Sequence, residues 1–181
     1  MLFFRQSMFA LLSLVTICAA VEFENYTELG YITDIAFQGD TLWAATLGGV
    51  LKYGPDNELI ATYTTADGLI NNFVLCVTVD IYGNKWFGTE HGFCKFDGIK
   101  WTPFPTREGI GRVDAICADQ RGRVWIGSMV LGVVEADTCL LLDSSDGIPK
   151  GTIESIAEDN DGNIFSDTFY CSFCNTIGRI K

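Results

Sequence analysis

The chain repeats itself. Asp80 to Gly98 reads D-I-Y-G-N-K-W-F-G-T-E-H-G-F-C-K-F-D-G, Asp119 to Asp137 is a second copy and Phe37 to Tyr53 a looser third. Trp43, Trp86 and Trp125 fall in one slot of the repeat and Phe165 takes that slot a fourth time, a period of about 40 residues, which by itself restricts the fold to stacked supersecondary units. Two other landmarks keep the same step. Ile32/Ile35, Val74/Val77, Val113/Ile116 and Ile153/Ile156 are apolar pairs, and Asp67-Gly68-Leu69, Glu108-Gly109-Ile110 and Asp146-Gly147-Ile148 are turns before the next unit.

Each unit divides into short runs of β-branched and aromatic residues between Gly, Asn and Asp punctuation, the pattern of strands joined by hairpins. In the second unit the predicted strands are Val74–Val79, Lys85–Thr89, Phe93–Phe96 and Lys100–Phe104. Four short strands per period of about 40 residues is the layout of a propeller blade. The first strand of a unit is apolar on both parities (Leu75, Cys76, Val77, Val79), which places it near the ring centre between neighbouring blades. The expectation is therefore an all-β chain: a β-propeller of four-stranded blades, with complete units at about 32–67, 74–108 and 113–146 and a partial one at 152–181. Phe165 to Lys181 loses the pattern, so the ring is expected to be incomplete. Glu22–Thr27 is expected to serve as the outer strand of the last blade, because Tyr26-Thr27 repeats the Tyr63-Thr64 of an outer-strand slot.

Residues 1–20 read as a signal peptide. Arg5 precedes an apolar run from Met8 to Ala19, and the small residues Cys18-Ala19-Ala20 allow cleavage before Val21. The expected location is periplasmic or secreted, with no membrane span after cleavage. A lipoprotein anchored at Cys18 is the weaker alternative, because Ile17 is too bulky for the preceding position. The mature chain keeps Cys76, Cys94, Cys117, Cys139, Cys171 and Cys174. The first three sit in strand runs and read as small buried hydrophobes. Cys171 and Cys174 form a lone C-x-x-C without a second pair, and no metal site is assigned to it. A formal net charge of −11 excludes nucleic acid and anionic membrane surfaces as natural partners.

The phrase V-x-x-I-x-x-D-x-x-G-x-x-W-x-G-T-x-x-G resembles the two-component regulator propeller repeat. It is carried here by Val74, Val77, Asp80, Gly83, Trp86, Gly88, Thr89 and Gly92, and again by Val113, Ile116, Asp119, Gly122, Trp125, Gly127 and Ser128. In the fourth unit Ile153, Ile156, Asp159 and Gly162 match before F-S-D-T replaces W-x-G-T. The resemblance implies rings with more blades than this chain supplies, of the kind found in periplasmic sensor regions of hybrid histidine kinases.

Strand-end alternation puts the Leu47-Gly48-Gly49, Glu90-His91-Gly92 and Met129-Val130-Leu131 turns on one face with the links between blades. Propeller ligands gather where loops of every blade converge. The candidate ligand-binding residues are Asn72, Glu90, His91 and Arg107. No catalytic residue, metal site or cofactor is assigned. The tryptophans read as core packing, and Asp159-Asn160-Asp161-Gly162-Asn163 as a hairpin turn in place of a calcium loop. The functional expectation is an exported, non-catalytic module that binds a small ligand or a protein partner. One alternative is a propeller lyase, since Asn175-Thr-Ile-Gly-Arg-Ile180 is similar to a streptogramin lyase phrase and His91 would be its sole histidine. The other is a structural half-ring that self-associates or assembles with another chain.

Overall fold

The computed structural model describes residues 30–106, 110–142, 144–148, 151–169 and 175–180. The leader with Cys18, the strand expected at Glu22–Thr27, Arg107, and the Cys171/Cys174 pair lie outside the described residues. Four antiparallel sheets follow one another in chain order. Blade 1 holds β1 (Ile32–Gln38), β2 (Thr41–Thr46), β3 (Gly49–Tyr53) and β4 (Leu59–Tyr63). Blade 2 holds β5 (Val74–Val79), β6 (Lys85–Thr89), β7 (Gly92–Phe96) and β8 (Trp101–Pro105). Blade 3 holds β9 (Ala115–Ala118), β10 (Val124–Gly127), β11 (Leu131–Glu135) and β12 (Thr138–Leu142). Blade 4 shows three strands, β13 (Ile156–Glu158), β14 (Ile164–Phe169) and β15 (Asn175–Ile180), the last formed by the lyase-like phrase. The single helical turn among the described residues is a 3-10 turn at Ser144–Asp146. The molecule is a β-propeller whose four sheets do not close into a ring among the described residues.

The first strands line up side by side, β1 against β5, β5 against β9 and β9 against β13, and three apolar layers separate the blades. Period-two alternation sends successive residues of a strand to opposite layers. Trp43, Val50, Phe87, Phe96 and Trp101 fill the layer between blades 1 and 2. Trp86, Phe93, Val113 and Ile126 fill the second, and Trp125, Leu131, Ile153 and Ile164 the third. Cys76 and Cys94 are buried and unpaired, as their strand positions implied, whereas Cys117 is only half-buried. Burial, aided by the Asp34 charge, pushes the Cys76 thiol up, and burial raises that of Cys94 to about 12.

The glycine of W-x-G-T has a packing cause. A Cβ on Gly88 would collide with Cys76 Sγ and with Val113 of the next blade, and one on Gly127 would lie 2.9 Å from Ile153 Cγ2. Only a residue without a side chain lets consecutive blades approach this closely.

The tryptophan and the aspartate of the repeat are joined by a hydrogen bond. Asp80 accepts from the backbone N–H of Tyr82 and Asn84 at 2.9 Å, from Asn84 Nδ2 at 2.8 Å and from Trp86 Nε1 at 2.8 Å. Asp119 repeats this with Arg121 and Arg123 N–H, Arg123 Nε at 2.7 Å and Trp125 Nε1 at 3.0 Å. Asp159 keeps the turn through Asp161 and Asn163, with Phe165 in the tryptophan slot. It makes the predicted hairpin turn, and no group of potential metal ligands occurs among the described residues.

Blade 1 departs from the pattern. Gln38 pairs with Thr41 across a two-residue turn, one residue shorter than the Asp80–Asn84 connection. Gln38 therefore occupies the aspartate's place, and its Nε2 donates to Gly83 O of blade 2 at 3.0 Å. Trp43 Nε1 is left buried without a hydrogen-bond partner. Trp86→Phe is accordingly expected to lose about 2 kcal/mol more than Trp43→Phe, because only the first removes a bond to a carboxylate. Equal losses in urea denaturation of the two variants would show that the Nε1 bond contributes nothing.

Candidate functional site

The Glu90-His91 turn between β6 and β7 is held by Thr89, whose Oγ1 donates to Gly92 O at 2.8 Å and accepts the His91 N–H at 3.2 Å. Gly92 has φ 93°, and a Cβ there would meet Phe104 O, so a glycine is needed to make the turn. The blade 1–2 link reaches this turn from one side. Asn71 Oδ1 accepts the Phe73 N–H at 2.7 Å, which fixes the amide and leaves Nδ2 toward His91 Nδ1 at 3.1 Å. Nδ1 must then accept, so the imidazole proton sits on Nε2. The blade 2–3 link reaches it from the other side. Arg112 bonds Glu90 Oε2 and Asp114 Oδ1, both at 2.6 Å. The hydrogen bond that Arg112 donates to Asp114, with the two carboxylate charges, outweighs partial burial and raises the guanidinium above its ordinary value.

Of the four predicted residues, Glu90 and His91 share one turn. Asn72 lies in the adjoining link, where its Oδ1 accepts the Thr65 N–H at 2.8 Å and braces that loop. Arg107 lies outside the described residues. The residues that tie the turn to its neighbours are Asn71, Arg112 and Asp114, which the sequence reading did not select. Arg112 sits directly before the Val113 landmark, and that adjacency was the available signal. No pair spacing indicated that Asn71, twenty positions from His91, would be the one to bond it.

The opposite face has a cleft of about 120 Å³ between blades 2 and 3, lined by Asp80, Tyr82, Lys95, Gly122, Ala136 and Asp137 among others. Its charged groups are already engaged. Asp80 holds its turn, and Lys95 Nζ bonds Asp137 Oδ1 at 2.6 Å across the seam. The cleft is therefore a seam between blades.

Residues 109–129, from the link through β9 and β10, match the family described as two component regulator propeller. The chain carries a two component regulator propeller repeat. No curated protein matches it in sequence. Among solved structures, the chain is similar to the extracellular domain of a hybrid two component system, BT3049, from B. thetaiotaomicron. Identity is 24% and the TM-score 0.65, over 75% of this chain and 20% of that one. A second such domain, BT4673 of the same organism, aligns at 22% identity and TM-score 0.63, over 82% of this chain and 22% of that one. A streptogramin B lyase aligns at 15% identity and TM-score 0.63, over 81% of this chain and 53% of that one. These likenesses show the propeller fold. The chain spans about a fifth of the length of the two sensor domains. No helix among the described residues is long and apolar enough to cross a membrane.

Proposed function

We propose that the chain is an exported, sensor-type propeller segment that binds a small ligand or a protein partner on the face of Asn72, Glu90, His91 and Arg107, without performing chemistry there. The observation that carries this reading is the Asn71–His91 bond. It holds His91 as the Nε2–H tautomer, a donor fixed at the mouth of converging links. Asn72, with its Oδ1 engaged by Thr65, carries a further amide donor in the adjoining link. Preset donors on a rigid turn suit recognition. The same tautomer counts against a lyase, since a general base needs an unoccupied acceptor nitrogen and Nδ1 already has a donor. The family match and the likeness to extracellular sensor domains support the sensor assignment and an extracytoplasmic location.

The test is side-chain ¹⁵N NMR of His91 and Asn72 during titration with sorbitol, succinate and glycylglycine as a polyol, a dicarboxylate and a peptide. The expected result is a saturable shift of both residues with one probe, abolished in Asn71→Ala. Shifts confined to Ile81–Asn84 and Ile99, on the opposite face, would overturn the placement. Silence toward all three probes would count against a small-ligand role and leave the protein-partner form of the proposal.

A further inference from the structure

The seam between blades 1 and 2 is charged differently from the seam between blades 2 and 3. At the second seam Asp80 accepts the Trp86 indole N–H, and Lys95, the cross-strand partner of Trp86, pairs with Asp137 of the next blade at 2.6 Å. Val124, directly before the next tryptophan, is apolar and buried. At the first seam the repeat puts other residues in the same places. Gln38 stands for Asp80, and Lys52, the cross-strand partner of Trp43, stands for Lys95. Ile99, 94% exposed, stands for Asp137, because the Phe96–Trp101 and Val134–Cys139 hairpins have equal length. Lys85, 4% exposed, stands for Val124. Two acids are gone and one buried cation is added.

The consequence is a group of donors without an acid. Lys52 Nζ lies 5.4 Å and Lys85 Nζ 5.1 Å from the Trp43 ring. Lys85 Nζ donates one bond, to Gly83 O at 3.0 Å, and an ammonium has three to give. Among the described residues, neither lysine forms an ion pair with a carboxylate. Trp43 is 2% exposed, and its Nε1 is buried with no acceptor. Burial, and after it the Lys52 charge, lower the Lys85 ammonium below its ordinary value against the opposing pull of Asp97 and Asp80. A buried donor and a buried cation each cost stability when nothing answers them.

Blade 3 shows what such a group takes. Asp119 Oδ2 accepts from Trp125 Nε1 at 3.0 Å and from Arg123 Nε at 2.7 Å, so one carboxylate oxygen bridges an indole and a cation. We infer that the blade 1–2 seam is a binding site for a carboxylate from solution, which accepts the Trp43 Nε1 proton and pairs with Lys52 and Lys85 in the role Asp119 plays in blade 3. The lysine stems beside the ring are long and flexible, so an entering anion can turn them aside to reach Nε1. The carboxylate belongs to a free small acid or to the C-terminus of a peptide. The site is distinct from the His91 turn and does not rest on the recognition proposed there.

The test is ¹⁵N–¹H NMR of the indole N–H groups of the full chain during titration with sodium acetate to about 0.1 M, far above a millimolar Kd, against sodium chloride of equal ionic strength. Trp43→Phe assigns the Trp43 signal. The expected result is a saturable downfield shift of Trp43 with acetate and none with chloride. Trp86 and Trp125, already bonded to Asp80 and Asp119, should stay in place. Lys85→Val, which installs the residue of blade 3, and Lys52→Gln are each expected to weaken acetate binding at least about tenfold. Unchanged Trp86 and Trp125 signals in these variants report an intact fold. N-Acetylglycine separates the two sources: tighter binding than acetate marks a peptide C-terminus, and equal or weaker binding a free small acid. A Trp43 signal that ignores acetate would overturn the inference. A signal that already sits at the bonded position of Trp86 without acetate would do the same, since the chain then supplies its own acceptor. So would undiminished binding in both lysine variants, or tighter binding of sulfate than of acetate.

Discussion

Replacing Asp119 with alanine is expected to destabilise the protein by about 3–5 kcal/mol, the range for breaking a buried charged pair. The carboxylate is 1% exposed. It accepts two backbone N–H groups of its turn, the Trp125 indole N–H and the Arg123 guanidinium. Alanine leaves all four donors short of a partner, and a buried donor without one costs more than the lost bond alone. The melting temperature should fall by roughly 10 °C. A loss below about 0.5 kcal/mol, the ordinary surface range, would show that the turn stands without its aspartate. The variant should also change the response to acid. Burial disfavours the Asp119 carboxylate, but the bonds from Trp125 and Arg123 outweigh it and hold the carboxyl below its ordinary value. A depressed folded value means the stabilisation is fully present above the unfolded carboxyl's pKa, about 3.9, and is lost as pH falls through the lower folded value. Asp119→Ala should therefore lose less stability than the wild type as pH falls below about 4. Asp159, bonded by the Asn163 side chain, and Asp97, bonded by the Lys100 and Ile99 N–H groups, are shifted in the same direction and remain in the variant.

Phe87→Ala is expected to cost a further-reaching 3–5 kcal/mol or about that, the range for deleting a buried ring. Phe87 belongs to blade 2, is fully buried, and packs its edge on Trp43 of blade 1 at 6.2 Å and against Trp101 at 5.5 Å. It is thus a wedge in one seam. In a repeat array each unit is stabilised by its own folding and by its neighbours, so the loss should be local. Hydrogen exchange should accelerate in β1–β4 while β9–β12 keep their protection. Equal acceleration in all blades would mean that the ring segment unfolds as one cooperative unit.

The blades were legible in the sequence because a hairpin is a local decision. The tryptophan slot, the apolar pair and the Gly-Asn or Gly-Arg turns lie within one unit, and the four strands predicted for the second unit appeared within a residue of their places. The buried cysteines and the structural role of the tryptophans were legible for the same reason, since strand parity assigns each residue to a layer. Legibility ended where two units meet. That Gly88 must be glycine is settled by Val113 of another blade. That Trp43 lacks the bond Trp86 has is settled by a turn one residue shorter, which hands the aspartate's place to Gln38.

The candidate site divides along the same line. Glu90 and His91 were found because the repeat marks the turn they sit in. Asn71, Arg112 and Asp114 were not, because the links that carry them have no fixed pattern and meet the turn only after the blades have stacked. The sequence by itself determined the unit, its four-strand plan and the parity of each residue, since all of these rest on short-range periodicity and turn chemistry. Only the tertiary structure decided which loop residues share a hydrogen bond and which apolar faces remain exposed, since those depend on how one rigid sheet rotates against the next, and no residue encodes that rotation alone.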